Sequence, residues 1–215
     1  MKLKRTANAG VLLELDGVSI LLDGVCREVK PYPATPPEER ELLSTCWPDV
    51  VAYTHAHKDH YDPAYAAEYM RQTGRAILGP DGVGGVRGSM QTVVLNDLKI
   101  IPITCRHIGL AGRDTPHCGF VINGTKTVWF TGDSSPLQWK NREDLSEPDV
   151  MIVPYAFVNS NSSWEFTKSK HAAVILLHMP KRSDDVVGLW ESVENTVGNL
   201  EQIIIPEIGE MITLV

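Results

Sequence analysis

A chain of 215 residues with 43% hydrophobic and 22% charged residues has the composition of an ordinary globular protein and enough length for one sizeable core. Its formal net charge of −7 argues against broad nucleic-acid binding, which draws on clustered Lys and Arg. No apolar run approaches the roughly 20 residues of a membrane span, and the basic start at Met1 to Arg5 leads into a strand pattern rather than a signal-peptide core.

Val11–Leu15 and Val18–Leu22 are apolar runs around Asp16-Gly17, a strong hairpin signal. Asp23 closes the second run, placed either to orient a metal-binding histidine or only to shape a turn. Residues 24–48 form a Pro-rich excursion. Pro31, Pro33, Pro36 and Pro37 exclude a long regular element before a short helical turn at 38–43. This stretch either borders the pocket or is a plain surface loop.

A short apolar run from Val50 then delivers Thr54-His55-Ala56-His57-Lys58-Asp59-His60-Tyr61-Asp62. Three imidazoles and a carboxylate within six residues suit neither a core nor an ordinary loop, and they are ligand types that zinc, manganese and iron accept. In extended backbone His55 and His57 point the same way, because side chains repeat every two residues. Asp62-Pro63 reads as an N-cap with proline at the first helical position, opening a helix over 63–72 that Gly74 ends. The chain turns there from strand to helix, carrying Asp59 and His60 toward a second point in space. Lys58 reads as a solvated side chain.

Strands are expected at 76–78, in a hairpin of 91–95 with 98–105, and in another of 120–122 with 127–131 about Asn123-Gly124. The Gly-rich stretch 79–88 matches neither nucleotide-binding fingerprint and reads as a connection. Further strands are expected at 150–153, 172–177, 203–205 and 211–214. A helix over 186–197 carries Val186, Leu189, Trp190, Val193 and Val197 at helical spacing, with Asp184 to cap it and Gly198 after it. Cys26, Cys46, Cys105 and Cys118 lack Cys-x-x-Cys spacing and read as reduced small hydrophobes.

His55 to His60, His107, Asp133 and His178 share one property: each is a metal-ligand residue at the C-terminal end of an apolar run. His117 competes with His107, and His171 with His178. The residues that follow a strand directly are preferred over those that precede one.

On these motifs the sequence resembles the metallo-β-lactamase superfamily over essentially its whole length. His55, His57, Asp59 and His60 match its H-x-H-x-D-H signature, and His107, Asp133 and His178 match its later ligand positions in order. It looks most like the small metal-dependent hydrolases that include ascorbate-6-phosphate lactonase. The resemblance implies an α/β (α+β) four-layer αββα sandwich with a dinuclear site at one edge. His55, His57 and His107 would hold one metal, and Asp59, His60 and His178 the other, with Asp133 bridging and Asp59 and Asp133 catalytic. Two divalent ions, zinc first with manganese or iron as alternatives, about 3.5–4 Å apart would share a hydroxide that attacks a small ester, lactone or phosphodiester. The alternatives are an RNase-like phosphodiesterase and a non-catalytic metal-binding module. Aspartate at 133, where thiolate-bearing β-lactamases carry cysteine, disfavours that chemistry, and His57 stands where the flavodiiron type has an acid. The expected whole is a cytoplasmic one-domain protein over residues 1–215 with a small-molecule substrate, no membrane partner, no nucleic acid, and a surface compatible with a homo-oligomer.

Overall fold

The computed structural model describes residues 1–83, 89–109, 112 and 114–214. Half of the Gly-rich connection, from Gly84 to Gly88, therefore lies outside the described residues. Strands β1 (Lys2–Arg5), β2 (Val11–Leu15), β3 (Val18–Leu22), β4 (Val50–Ala52) and β5 (Ile77–Leu78) form one sheet together with the last strand, β12 (Met211–Thr213). The second sheet holds β6 (Val93–Leu95), β7 (Leu98–Arg106), β8 (Pro116–Asn123), β9 (Thr127–Phe130), β10 (Val150–Val153) and β11 (Ala173–Leu176). The order is β12-β1-β2-β3-β4-β5 in the first and β11-β10-β9-β8-β7-β6 in the second. Among the described residues five α-helices flank them: α1 (Pro37–Thr45), α2 (Pro63–Thr73), α3 (Leu137–Lys140), α4 (Asn161–Ser169) and α5 (Leu189–Val197).

Alternation along the strands builds the layers. Val11, Leu13 and Leu15 on β2, with Val18, Ile20 and Leu22 on β3, face Phe120, Ile122, Val128 and Phe130 across the gap between the sheets. The residues between them turn outward. Trp129, Met151 and Val153 pack under α4 and α5 through Trp164 and Val193, while Leu21, Val51 and Tyr53 pack under α1 and α2 through Leu43, Tyr65 and Tyr69. β10 is buried on both faces, as a strand parallel to both neighbours requires. The result is helix, sheet, sheet, helix. Among the described residues no helix is long and apolar enough to cross a membrane.

The turns follow their residues. Asp16 and Gly17 both take positive φ, 53° and 76°, as a two-residue hairpin of matching twist requires. The Asp62 carboxylate accepts the Ala64 and Tyr65 N–H groups at 2.8 and 3.3 Å, and Gly74 ends α2 at φ 69°.

Three expectations change. Residues 203–205 form no strand; Ile204 makes a single bridge to β11 just before Pro206, which has no N–H to continue a ladder. The last helix starts at Leu189 rather than 186, because Asp185, not Asp184, accepts the Leu189 and Trp190 N–H groups at 2.9 and 2.8 Å. Val186 is consequently 90% exposed. Finally, β8 begins at Pro116, so His117 lies inside a strand opposite Cys105 instead of ahead of one.

Topology gathers the polar residues. β3 and β4 run parallel, and so do β7, β9, β10 and β11, the first two through antiparallel pairing with β8. Asp23 follows β3, the histidine motif follows β4, and His107, Asp133 and His178 follow β7, β9 and β11. At this edge the sheets touch. The Cys118 N–H donates to the Thr54 carbonyl at 2.9 Å, and Gly132 approaches so closely that a Cβ there would lie 2.6 Å from Thr54 Cγ2.

Candidate metal centre

After β4 the backbone closes a tight turn in which the His60 and Tyr61 N–H groups both donate to the His57 carbonyl, at 3.1 and 2.9 Å. The turn separates the motif into two pairs. His55 and His57 stack edge to face at 4.5 Å and meet His107, while Asp59 and His60 meet His178. Within each trio the potential ligand atoms lie within 4.8 Å of one another. Asp133 stands between the trios, its Oδ2 3.4 Å from His60 Nε2, 3.5 Å from His107 Nε2 and 3.4 Å from His178 Nε2. Asp59 Oδ2 lies 3.2 Å from His178 Nε2.

A layer of hydrogen bonds beneath fixes which nitrogens face inward. Asp23, fully buried, accepts from the Thr54 N–H at 2.7 Å, the Thr54 hydroxyl at 2.6 Å and His60 Nδ1 at 2.8 Å. The Thr54 hydroxyl, its proton committed to Asp23, accepts in turn from His55 Nδ1 at 2.9 Å. His107 Nδ1 donates to the Ile108 carbonyl at 2.5 Å. These partners engage Nδ1 and leave Nε2 of His55, His60 and His107 as the inward-facing atom, and all three atoms are buried with no hydrogen-bond partner. His57 differs: its Nε2 bonds Thr115 Oγ1 at 3.1 Å, so its Nδ1 is the free atom.

The electrostatics express the same demand. Burial holds His55 well below the ordinary imidazole range, reinforced by His60. Burial also opposes charge on His60, but Asp133 and Asp23 outweigh it and push the imidazole well above its usual value. Burial would raise Asp59 and Asp133, yet the surrounding histidines, His178 foremost, hold both carboxylates low. Buried carboxylates beside unpartnered imidazole nitrogens form a pocket that favours positive charge, and the raised His60 imidazole shows the same preference by holding a proton. Nitrogen and oxygen donors without thiolate suit zinc, manganese or iron, so the residues present fit divalent metal ions.

His117 is close but plays another part. Its Nε2 accepts the Asp133 N–H at 3.0 Å and its Nδ1 lies 3.2 Å from Cys105 Sγ, so both ring nitrogens are occupied. Burial lowers its pKa to about 3, and it joins neither trio. His171 is exposed and lies outside both, as does the exposed Lys58. Thr54 was invisible to sequence reasoning, since a threonine ahead of the motif carries no signal until Asp23 is seen beneath it.

No family model matches the chain. A UPF0173 metal-dependent hydrolase from Methanopyrus kandleri is 26% identical over 174 residues, spanning 72% of this chain and 71% of the relative. Among solved structures, isothiocyanate hydrolase from Delia radicum gut bacteria superposes with a TM-score of 0.73 at 20% identity, covering 100% of this chain and 99% of that one. The metallo-β-lactamase fold protein YhfI from Bacillus subtilis superposes with a TM-score of 0.63 at 16% identity, covering 99% of each.

Proposed function

The chain has the metallo-β-lactamase fold, and on that premise we propose that it is a metal-dependent hydrolase of a small ester, lactone or phosphodiester. One observation carries the reading: the buried, partnerless Nε2 atoms of His60 and His107, one from each trio, both lie within 3.5 Å of the Asp133 carboxylate. The description of the Methanopyrus kandleri relative as a metal-dependent hydrolase supports it. In this reading His55, His57 and His107 hold one divalent ion and Asp59, His60 and His178 a second, with Asp133 shared; zinc is preferred, manganese or iron being alternatives. Bound there, the ions supply Lewis acidity that polarises a carbonyl or phosphoryl oxygen and makes water more acidic. The chain's own residues do the rest. Asp23 and Thr54 hold His55 and His60 in the tautomer that presents Nε2, and Asp133 keeps the two trios in register. Asp59, held ionised beside His178 and half-buried, would be available to take the proton of an attacking water.

The test is zinc stoichiometry and turnover of a panel of p-nitrophenyl esters, lactones and phosphodiesters. Asp133→Ala and His57→Ala are expected to lose metal and at least about a hundred-fold in rate. Full turnover in either variant would sink the proposal.

A further inference from the structure

A groove of about 550 Å³ lies between residues 28–33 of the Pro-rich excursion and residues 181–186. That size suits a small ligand. Each wall is tied to the metal centre. The Arg27 N–H donates to the Lys58 carbonyl at 2.7 Å, inside the histidine motif, and Lys181 follows His178 by three residues. The excursion is a folded wall. Cys26 N–H meets Thr35 Oγ1 at 2.9 Å at its base, and Val29 and Tyr32 exchange backbone hydrogen bonds of 3.0 and 2.6 Å at its tip.

Tyr32 lines this groove, and its ring packs edge-on against His178 at 4.4 Å between centroids. It therefore stands where groove and metal centre meet. Tyr155 approaches His178 from a separate segment, at 6.2 Å. Neither phenol has a hydrogen-bond partner among the described residues, and burial pushes both upward in pKa, so both remain neutral donors. Lys30 and Lys181 share the lining with Glu28 and Asp184, so its formal charges cancel. The remaining lining includes Pro31, Pro33 and Val186. Such a groove has no preference for a polyanion such as RNA. Tyr32, half-buried, is the lining side chain set deepest toward the metal centre, and the prolines and Val186 are exposed around it.

Building on the hydrolase reading, we propose that Tyr32 is a specificity-determining residue of this site, and that the groove beyond it holds the neutral or zwitterionic substituent of a small-molecule substrate. The substituent rests on the Tyr32 ring while the scissile group lies against the histidines.

The test uses zinc-loaded protein and two metal-chelating probes measured by calorimetry. Acetohydroxamate reaches only the metal centre, whereas benzohydroxamate extends beyond it. Benzohydroxamate is expected to bind wild type at least about ten-fold tighter, the worth of burying a ring. Tyr32→Ala should abolish that advantage while leaving zinc content and acetohydroxamate affinity unchanged. Tyr32→Phe should keep it, since this probe offers the phenol nothing to bond. Equal weakening of both probes in Tyr32→Ala, which marks a purely structural support of His178, overturns the proposal. So does an advantage that survives. If the probes behave as expected but no ester, lactone or phosphodiester turns over, the role of Tyr32 stands and the hydrolase reading falls.

Discussion

Replacing Asp23 with asparagine changes one buried oxygen to NH2 and nothing else in shape, yet it should disable ligands in both trios. Asp23 Oδ2 receives protons from the Thr54 hydroxyl and from His60 Nδ1, while Oδ1 receives the Thr54 N–H. If the asparagine NH2 occupies the Oδ2 position, it must donate. His60 Nδ1 then becomes an acceptor, which moves that proton to Nε2, and the Thr54 hydroxyl turns to donate to His55 with the same result. If the amide flips, its NH2 instead confronts the Thr54 N–H, two donors face to face in a buried site, costing about 1–3 kcal/mol. Losing a hydrogen bond that orients a metal-binding histidine typically costs roughly 10–100-fold in affinity. With two histidines affected, about 100-fold, or about 2.8 kcal/mol, is expected for Asp23→Asn. Chelator competition for zinc measures it, with metal-free thermal unfolding as the control for stability, where about 2–4 °C of Tm is lost per kcal/mol. Wild-type zinc affinity in a folded Asp23→Asn protein would refute the tautomer argument.

His107→Ala should lower zinc stoichiometry, whereas His117→Ala should retain it and lose about 1–3 kcal/mol of stability by stranding the Asp133 N–H; elemental analysis with urea unfolding separates the two, and the opposite pattern would exchange their roles. His117 also sets an acid limit on the metal-free protein. Its folded pKa, about 3, lies below the ordinary 6.5 because burial disfavours the imidazolium, so the unfolded chain takes up the proton first. Stability from the neutral ring is complete above pH 6.5 and falls toward pH 3 by up to about 1.4 kcal/mol per pH unit. His117→Gln should flatten urea-derived stability over that range, and an unchanged slope would contradict the assignment. Asp62→Ala removes a helix cap that Arg40 also clasps, at 2.5 Å, and should cost about 1–2 kcal/mol in thermal unfolding. Because Asp62 lies two residues beyond His60, zinc affinity should fall with it; a stable variant with intact affinity would show that the helix start does not position the motif.

What was legible in the sequence was what local chemistry decides alone. Asp16-Gly17 demanded a hairpin, Asp62-Pro63 a helix start, and alternating Val, Ile and Leu the strands of a layered core. The histidine motif announced itself by density. Asp23 stood at a strand end with two readings open, and only packing shows its carboxylate under His60. The sequence prefers His107 over His117 partly on where β8 begins, and β8 begins earlier than its pattern predicts; what distinguishes the two in space is that both nitrogens of His117 are already bonded. The helical period, which Val186 fits, predicts a start for α5 three residues ahead of Leu189. Periodicity cannot tell a buried valine from one that faces a groove, and the Asp185 carboxylate decided the matter through two N–H groups that no pattern reveals.

The contact between Gly132 and Thr54 makes the site a seam. His55, His57, Asp59 and His60 follow a strand of one sheet, His107, Asp133 and His178 follow strands of the other, and glycine sets how near the two margins come. Ions held across such a join would act as rivets, and on the proposed function the same ligands would both perform chemistry and fasten the halves of the molecule together. A substitution far away in the shared core that eased the sheets apart by a fraction of an ångström would open the seam while every strand stayed paired. For this architecture, wear should appear first as lost metal and only later as lost fold.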